Sequence, residues 1–275
     1  MKYFRKKLRI YIPFTRSIIQ MMMTYRLNFF IFIFGNILKT FVIYYLWKAV
    51  FINSTTPVLN GFTASDMVIY IFMSSITAGF VSNNIDQVIG TEVKDGSIAM
   101  NLIKPINYHI RLLFESFGDL TYGTICVSIP LWLALIAVRF FGIGELPPSF
   151  STIGAYILSM IFGFLIMFLF NFCFGLLAFY VTNTWGIGQL KYVIIGFISG
   201  QIIPLVFFPI WLQNGLEFLP FSSINYIPVM IYLNKINGTA IIKSFAVQVF
   251  WIVFLLLFSI WLWKKATKRL TILGG

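Results

Sequence analysis

His109 is the single histidine of a 275-residue chain, and it stands beside eight acidic residues and two cysteines. Zinc needs Cys or His in close pairs, and the chain has neither an HExxH helix nor a Cys/His cluster. No GxSxG sets up a nucleophilic serine, and no serine adjoins an acid–base pair. No GxxxxGK[ST] loop is present to wrap phosphates in backbone amides, so the chain lacks that route to ATP. Cys126 and Cys173 each fall inside an apolar run, where they read as small buried thiols with no disulfide framework. A membrane-embedded enzyme would need polar groups converging at one depth. Scattered acids and one histidine do not supply them. The expectation is a non-enzyme that binds no metal and no cofactor of its own.

Three charges near apolar runs remain. Lys39 interrupts the first run and needs a partner or a wet cavity. It reads either as a substrate contact or as half of a structural pair. Glu115 and Asp119 lie one helical turn apart on one face. They could line a substrate path, pair with Lys39 or Arg111, or sit at the interface as snorkelling acids. An ion-coupled secondary transporter would use Lys39, Glu115 and Asp119 as a relay. That alternative lacks an internal repeat and a matched pair of Gly/Pro-broken spans. A third feature is the loop from Asp86 to His109. Asp95, Gly96 and Ser97 form a turn, and Ser97 is placed to cap a short helix. Ile98 with Leu102, and Ala99 with Ile103, are i,i+4 pairs, and Pro105 after Lys104 ends the helix. Such a helix is either a docking knob for a partner or an ordinary interfacial loop.

The elements that must hold these residues are membrane helices. Hydrophobic residues make up 59% of the chain and charged residues 10%, against about 25% charged in a soluble domain. Mean hydropathy is +0.90. Six apolar spans are expected over 27–50, 66–86, 114–138, 152–181, 190–212 and 243–263, each near the roughly 20 residues that cross a bilayer. Phe218 to Asn234 is also uncharged, but Pro220 and Pro228 break its hydrogen-bond ladder, and it reads as a re-entrant or interfacial element. With six spans, Lys2, Arg5, Lys6, Lys7 and Arg9 share a side with Lys264, Lys265, Lys268 and Arg269. Of the 20 Lys and Arg, fifteen, including Lys191, fall on that side. Lys48, Arg139, Lys235 and Lys243 fall on the other. The excess marks the cytoplasm and places both ends there. Before the first span, Phe14, Ile18, Met22 and Tyr25 recur at helical spacing, with Arg16 and Arg26 off the stripe. This predicts a helix along the cytoplasmic membrane face. No cleaved signal peptide is expected. The fold class expected is therefore all-α and polytopic, a single transmembrane domain over 1–275. Phenylalanines of the last three spans either form a groove for amphiphiles or face lipid.

The stretch Glu92 to Pro105 resembles the region after the second span in type-2 ABC exporter permeases, most closely the small bacterial six-span subgroup. There an acidic residue, a Gly-Ser turn, a short apolar segment and a Lys-Pro pair make the coupling helix that docks on the ATPase. The N-terminal amphipathic helix is similar to that family's interfacial elbow helix. Phe207 to Tyr232, with Pro209, Pro220-Phe221 and Ile227-Pro228, is similar to its re-entrant external segment before the last span. The resemblance implies a permease that leaves ATP and Mg to a separate ABC ATPase subunit, present in two copies. It also implies a second permease chain, identical or paralogous, and outward movement of an amphipathic drug, antimicrobial peptide or lipid-like molecule across a bacterial plasma membrane. It assigns ATPase docking to Glu92, Asp95, Gly96, Ser97, Ile98, Leu102 and Lys104. No nucleic-acid partner is expected.

Overall fold

The computed structural model describes residues 9–24, 26–140, 148–181 and 184–273. Lys2, Arg5, Lys6, Lys7 and Tyr25 lie outside the described residues. The chain opens with α1 (Ile12–Thr24). Phe14, Ile18 and Met22 are half-buried on one face with Thr15 and Ile19, while its other residues are exposed. That face is clasped by a later helix. Thr15 Oγ1 donates to the Phe114 carbonyl at 2.6 Å, and the rings of Tyr11 and Phe114 stack at 5.5 Å. Gly118 permits the approach, since a Cβ there would meet Ile18 at 2.6 Å.

Four of the expected spans form in sequence order. The first is α2 (Arg26–Ile52), and the second joins α3 (Ala64–Val81) to α4 (Ile85–Lys94) across a break at 82–84. Short α5 (Ser97–Ile103) follows. The third span runs from α6 (Tyr108–Gly123) through a π-helical turn at Thr124–Ser128 into α7 (Ile129–Val138). The turn stands just ahead of Pro130, whose missing N–H removes one rung of an α-helical ladder. The fourth span is α8 (Phe150–Gly175). After the shorter α9 (Thr184–Ile198) come α10 (Ile210–Phe218), α11 (Tyr226–Tyr232) and the last span, α12 (Thr239–Leu273). Among the described residues five helices are thus long and apolar enough to cross a membrane, and α9 is a shorter apolar one. The only sheet among the described residues is a two-residue-per-strand hairpin, β1 (Val58–Leu59) with β2 (Phe62–Thr63). Asn60 and Gly61 turn it with φ of 45° and 79°. The chain is an all-α polytopic membrane protein.

The fifth expected span, 190–212, is corrected by the structure. Its helix, α9, has fifteen residues, Thr184–Ile198, so the fifth apolar helix lies earlier in the chain than 190–212. It ends where Gly200 takes φ +77°, and Pro204 and Pro209 follow. A window of uncharged residues passes over such breakers, because it scores polarity and not backbone geometry. The re-entrant reading of 218–234 fits what comes next. All seven residues of α11 are buried, packed against α8 and α3. Side chains of the spans satisfy the returning backbone: Tyr70 donates to the Gly200 carbonyl, Ser74 to that of Gln201 at 2.9 Å, and Gln248 to that of Ser223 at 3.0 Å. Asn225 returns a bond to the Ser74 carbonyl at 3.1 Å. Away from water these bonds are obligatory.

Tyr11, ahead of α1, and Trp263 of α12 both meet the chain where it enters α6. The amide of Asn107 donates to the Tyr11 hydroxyl at 3.0 Å, and Tyr108 stacks on Trp263 of α12 at 4.5 Å. Lys235 latches the hairpin, with its ammonium on the Gly61 carbonyl at 2.7 Å and the Asp66 carboxylate at 3.0 Å.

The tightest backbone crossing is α3 on α6, where a Cβ on Gly123 would run into the Gly79 carbonyl oxygen. Gly123→Ala is expected to lower the thermal midpoint of the detergent-purified protein, in line with the ~1–3 kcal/mol cost of overpacking. Gly154→Ala, with open space around it, serves as the control that should not lower the midpoint, since Ala in a helix is at least as favourable as Gly.

Candidate docking element and the charges behind it

The helix α5 starts from a turn built by three residues. Gly96 sits in the left-handed region at φ +77° as the residue ahead of the helix, a conformation that costs glycine nothing. Ser97, expected to cap the helix, is instead its first residue. Its amide donates to Asp95 Oδ1 at 2.9 Å. Bonds from the Ser97 hydroxyl and amide hold the Asp95 carboxyl below the usual carboxylate range. Lys104 ends the helix with an extended ψ of 139°, as the residue before proline must, and its ammonium reaches the side chain of Asn101 at 2.8 Å.

The apolar residues of α5 do not form one outward face. Ile98 is fully buried, whereas Met100 is 64%, Leu102 40% and Ile103 77% exposed. One side chain therefore anchors the helix, and three project from the end of the bundle. Glu92, named in the docking set, is engaged within the chain. Its carboxylate takes the Arg111 guanidinium at 2.6 Å and the Tyr108 hydroxyl at 2.7 Å. Arg111 reaches back to Glu115 at 3.3 Å. All three charged side chains are at most 12% exposed. Glu92 braces the arm from within, and Asp95 and Lys104 are the exposed charges of the docking set.

Of the pairings open to Glu115 and Asp119, Glu115 takes Arg111. Asp119 accepts the amide of Asn84 at 3.0 Å, at the break between α3 and α4. Lys39 meets neither; its ammonium lies 3.2 Å from the Tyr192 hydroxyl. The three members of the expected relay thus occupy three separate settings. His109 stacks on Phe172 at 4.1 Å, and Cys126 and Cys173 are free thiols. Among the described residues no group of three or more His, Cys, Asp or Glu is arranged to hold a metal.

A second charged cluster was not anticipated. Lys191, counted with the cytoplasmic side at the edge of the fifth expected span, lies at the middle of α9. Its ammonium contacts Asp86 at 2.7 Å and the Asn171 side-chain oxygen at 2.8 Å. Asn171 passes the chain on to the backbone and side-chain oxygens of Asn83, both at 3.0 Å. Beginning the fifth span at 190 pushed Lys191 to a boundary. Beginning it after the Thr182-Asn183-Thr184 run would have put that lysine at mid-helix, where it demands a partner.

The sequence profile of the family described as ABC-2 family transporter protein matches residues 37–274. No curated protein and no solved structure matches the chain. The chain belongs to the ABC-2 transporter family. It is a membrane subunit of an ABC-type transporter, and that family works in general with an ABC ATPase partner.

Two outcomes follow from the charges. Asp86→Asn alone, or Lys191→Met alone, leaves an uncompensated buried charge or donor and is expected to cost ~3–5 kcal/mol. The double variant should cost less than either, as read from thermal midpoints in one detergent. The Asp95 carboxyl is more acidic folded than unfolded. Its contribution is therefore complete above the unfolded-state value and is lost as pH falls through the folded one. Asp95→Ala at neutral pH, or acidification of the wild type, should each lower the hydrogen-exchange protection of the α5 amides, taken relative to the intrinsic rate at the same pH, and leave the protection of those of α8 unchanged.

Proposed function

We propose that this chain is the transmembrane subunit of an ATP-driven exporter, and that α5 is the element on which its ATPase docks. The observation that carries this reading is the division of α5 between one buried anchor, Ile98, and three exposed apolar residues, Met100, Leu102 and Ile103. Exposed apolar groups on a short helix, rimmed by Asp95 and Lys104, suit a groove in a partner protein. Behind them, the Glu92–Arg111–Glu115 chain ties the arm to α6. Displacement of α5 is thereby passed to a membrane helix.

In this proposal two copies of the ATPase serve a pair of permease chains, identical or paralogous. ATP and Mg bind the ATPase, and its closure pulls on α5. The pair exchanges between two conformations that nucleotide binds unequally, which is how a ligand shifts such an equilibrium. The cargo is an amphipathic molecule moved outward across a bacterial plasma membrane, with both ends of the chain in the cytoplasm. The positive charges concentrated toward the α5 end support that orientation. The dispersal of Lys39, Glu115 and Asp119 gives the ion-coupled alternative no supporting geometry.

Purification of the C-terminally tagged protein in mild detergent, with and without prior cross-linking, should recover a stoichiometric subunit bearing GxxxxGK[ST]. Met100→Asp and Ile103→Asp are expected to reduce that recovery at least about tenfold while leaving the permease's own thermal midpoint unchanged, since both residues are exposed. Asp95→Lys should weaken recovery, and Glu92→Lys should destabilise the permease itself. Equal recovery from wild type and both apolar variants would exclude α5 as the docking element.

A further inference from the structure

Between α2, α3 and α9 lies a cavity of about 360 Å³, within the range of about 300–1,000 Å³ in which proteins hold small molecules. Its wall is polar for a space among membrane helices, with Asn36, Ser75, Asn84, Gln189 and Gln201 contributing amides and a hydroxyl. It also carries two cations, Lys39 and Lys191, against one carboxylate, Asp86. Lys191 and Asp86 neutralise each other at 2.7 Å. The charge left over is that of Lys39.

Lys39 is equidistant from the two ends of α2, the position on a membrane-spanning helix from which an ammonium has the furthest to snorkel. Thr40, the next residue, is buried and donates to Ser75 of α3 at 3.0 Å. That bond fixes the rotation of α2 here. The ammonium touches the Tyr192 hydroxyl and lies 5.5 Å from the centre of its ring. An ammonium has three donors, and the hydroxyl uses one. No carboxylate lies within ion-pairing distance of Lys39 among the described residues; Asp119 lines a neighbouring hollow instead. A cation held at mid-membrane without a counter-charge calls for an anion. On either side of the cavity, α2 and α9 present exposed apolar side chains, among them Phe34, Leu38, Phe41, Leu190, Val193 and Phe197.

We propose that this cavity binds the anionic head group, a phosphate or carboxylate, of a single amphiphile, with Lys39 as its counter-charge and the apolar tail lying along α2 or α9. Naming that amphiphile the cargo rests on the exporter reading; the binding site itself does not. Lys39 donates to the anionic oxygens, Tyr192 holds the ammonium in place from the far side, and the amides complete the shell. The excess of one positive charge rejects cationic amphiphiles from the same space.

The test uses the full chain in phosphatidylcholine nanodiscs and a fluorescent short-chain phosphatidic acid, read by polarisation, with the matching diacylglycerol as the uncharged probe. Wild type should bind the anionic probe at least about tenfold more tightly than the neutral one, the scale of one charge-assisted bond. Lys39→Gln should abolish that preference. Lys39→Arg should keep it, and so should Lys48→Gln, a cation on the same helix that does not line the cavity. Thermal midpoints of each variant separate lost binding from lost folding. Equal affinity for the two probes, or an undiminished preference in a folded Lys39→Gln protein, overturns the proposal. Displacement of the probe by excess inorganic phosphate overturns the amphiphile in favour of a free anion, and resistance to displacement supports it. No ATPase and no nucleotide enter this assay, so its failure leaves the docking role of α5 standing, and failed recovery of an ATPase leaves this site standing.

Discussion

A charge buried among membrane helices needs a counter-charge, and the Asp86–Lys191 pair shows what that demand can build within the chain. Asp86 sits at the start of α4, immediately after the break that separates α4 from α3. Lys191 brings the centre of α9 to it, and Asn171 brings α8. Asn83, inside the break, closes the chain of bonds. Three membrane helices are thus fixed at one point, and α4 leaves that point with its direction set. Everything α4 carries, including Glu92 and the turn into α5, inherits its position from this pair. The Glu92–Arg111–Glu115 chain then ties the far end of the same arm to α6. The arm is held at both ends by charge, in a place where neither charge can be released to water without large cost.

The bundle leaves very different amounts of surface covered on its several helices. Buried residues crowd α3, with ten of eighteen positions, whereas only 11% of the most apolar window of α2 and 17% of that of α12 are buried. The inner helices are α3, α8 and the returning α11, and the outer ones offer Phe and Leu to whatever surrounds them. A ladder of stacked rings, Phe250, Phe254 and Phe258, runs along the outside of α12. Apolar side chains on lipid-facing surfaces and at subunit contacts look alike in composition. The polar residues therefore carry the positional information in this molecule.

Much of the architecture was legible in the sequence because a bilayer leaves few options. Charge-free runs of the right length identified four of the five long helices closely, with α12 extending beyond its expected end. The stripe Phe14, Ile18, Met22 identified the face of α1, and Pro220 with Pro228 kept the segment containing α11 from being read as a span. The fifth helix was misplaced because Gly200 and Pro204 act through backbone geometry, which hydropathy does not register. The roles of individual charges were the least legible. Glu92 looked exposed because it adjoins a turn, yet Arg111 and Tyr108, 19 and 16 residues further on, fold over it. Lys191 and Asp86 are 105 positions apart, and no local spacing announces such a pair.

The segment from Gly200 to Tyr232 has a consequence for the order in which the protein is made. Its backbone bonds are completed by side chains from both directions along the chain. Asn225 finds Ser74 at a separation of 151 positions, and Ser223 waits for Gln248, 25 positions ahead. During synthesis α3 and α8 are in place long before the segment emerges, but Gln248 belongs to the last helix. Until α12 has been made, the returning chain therefore has a seat with one side missing and keeps an unpaired carbonyl that hydrocarbon will not tolerate. Contacts of such long separation are among the slowest to form. Seating of this loop is thus the closing step of assembly, and a ribosome that stops before Gln248 leaves behind a bundle whose interior is still open.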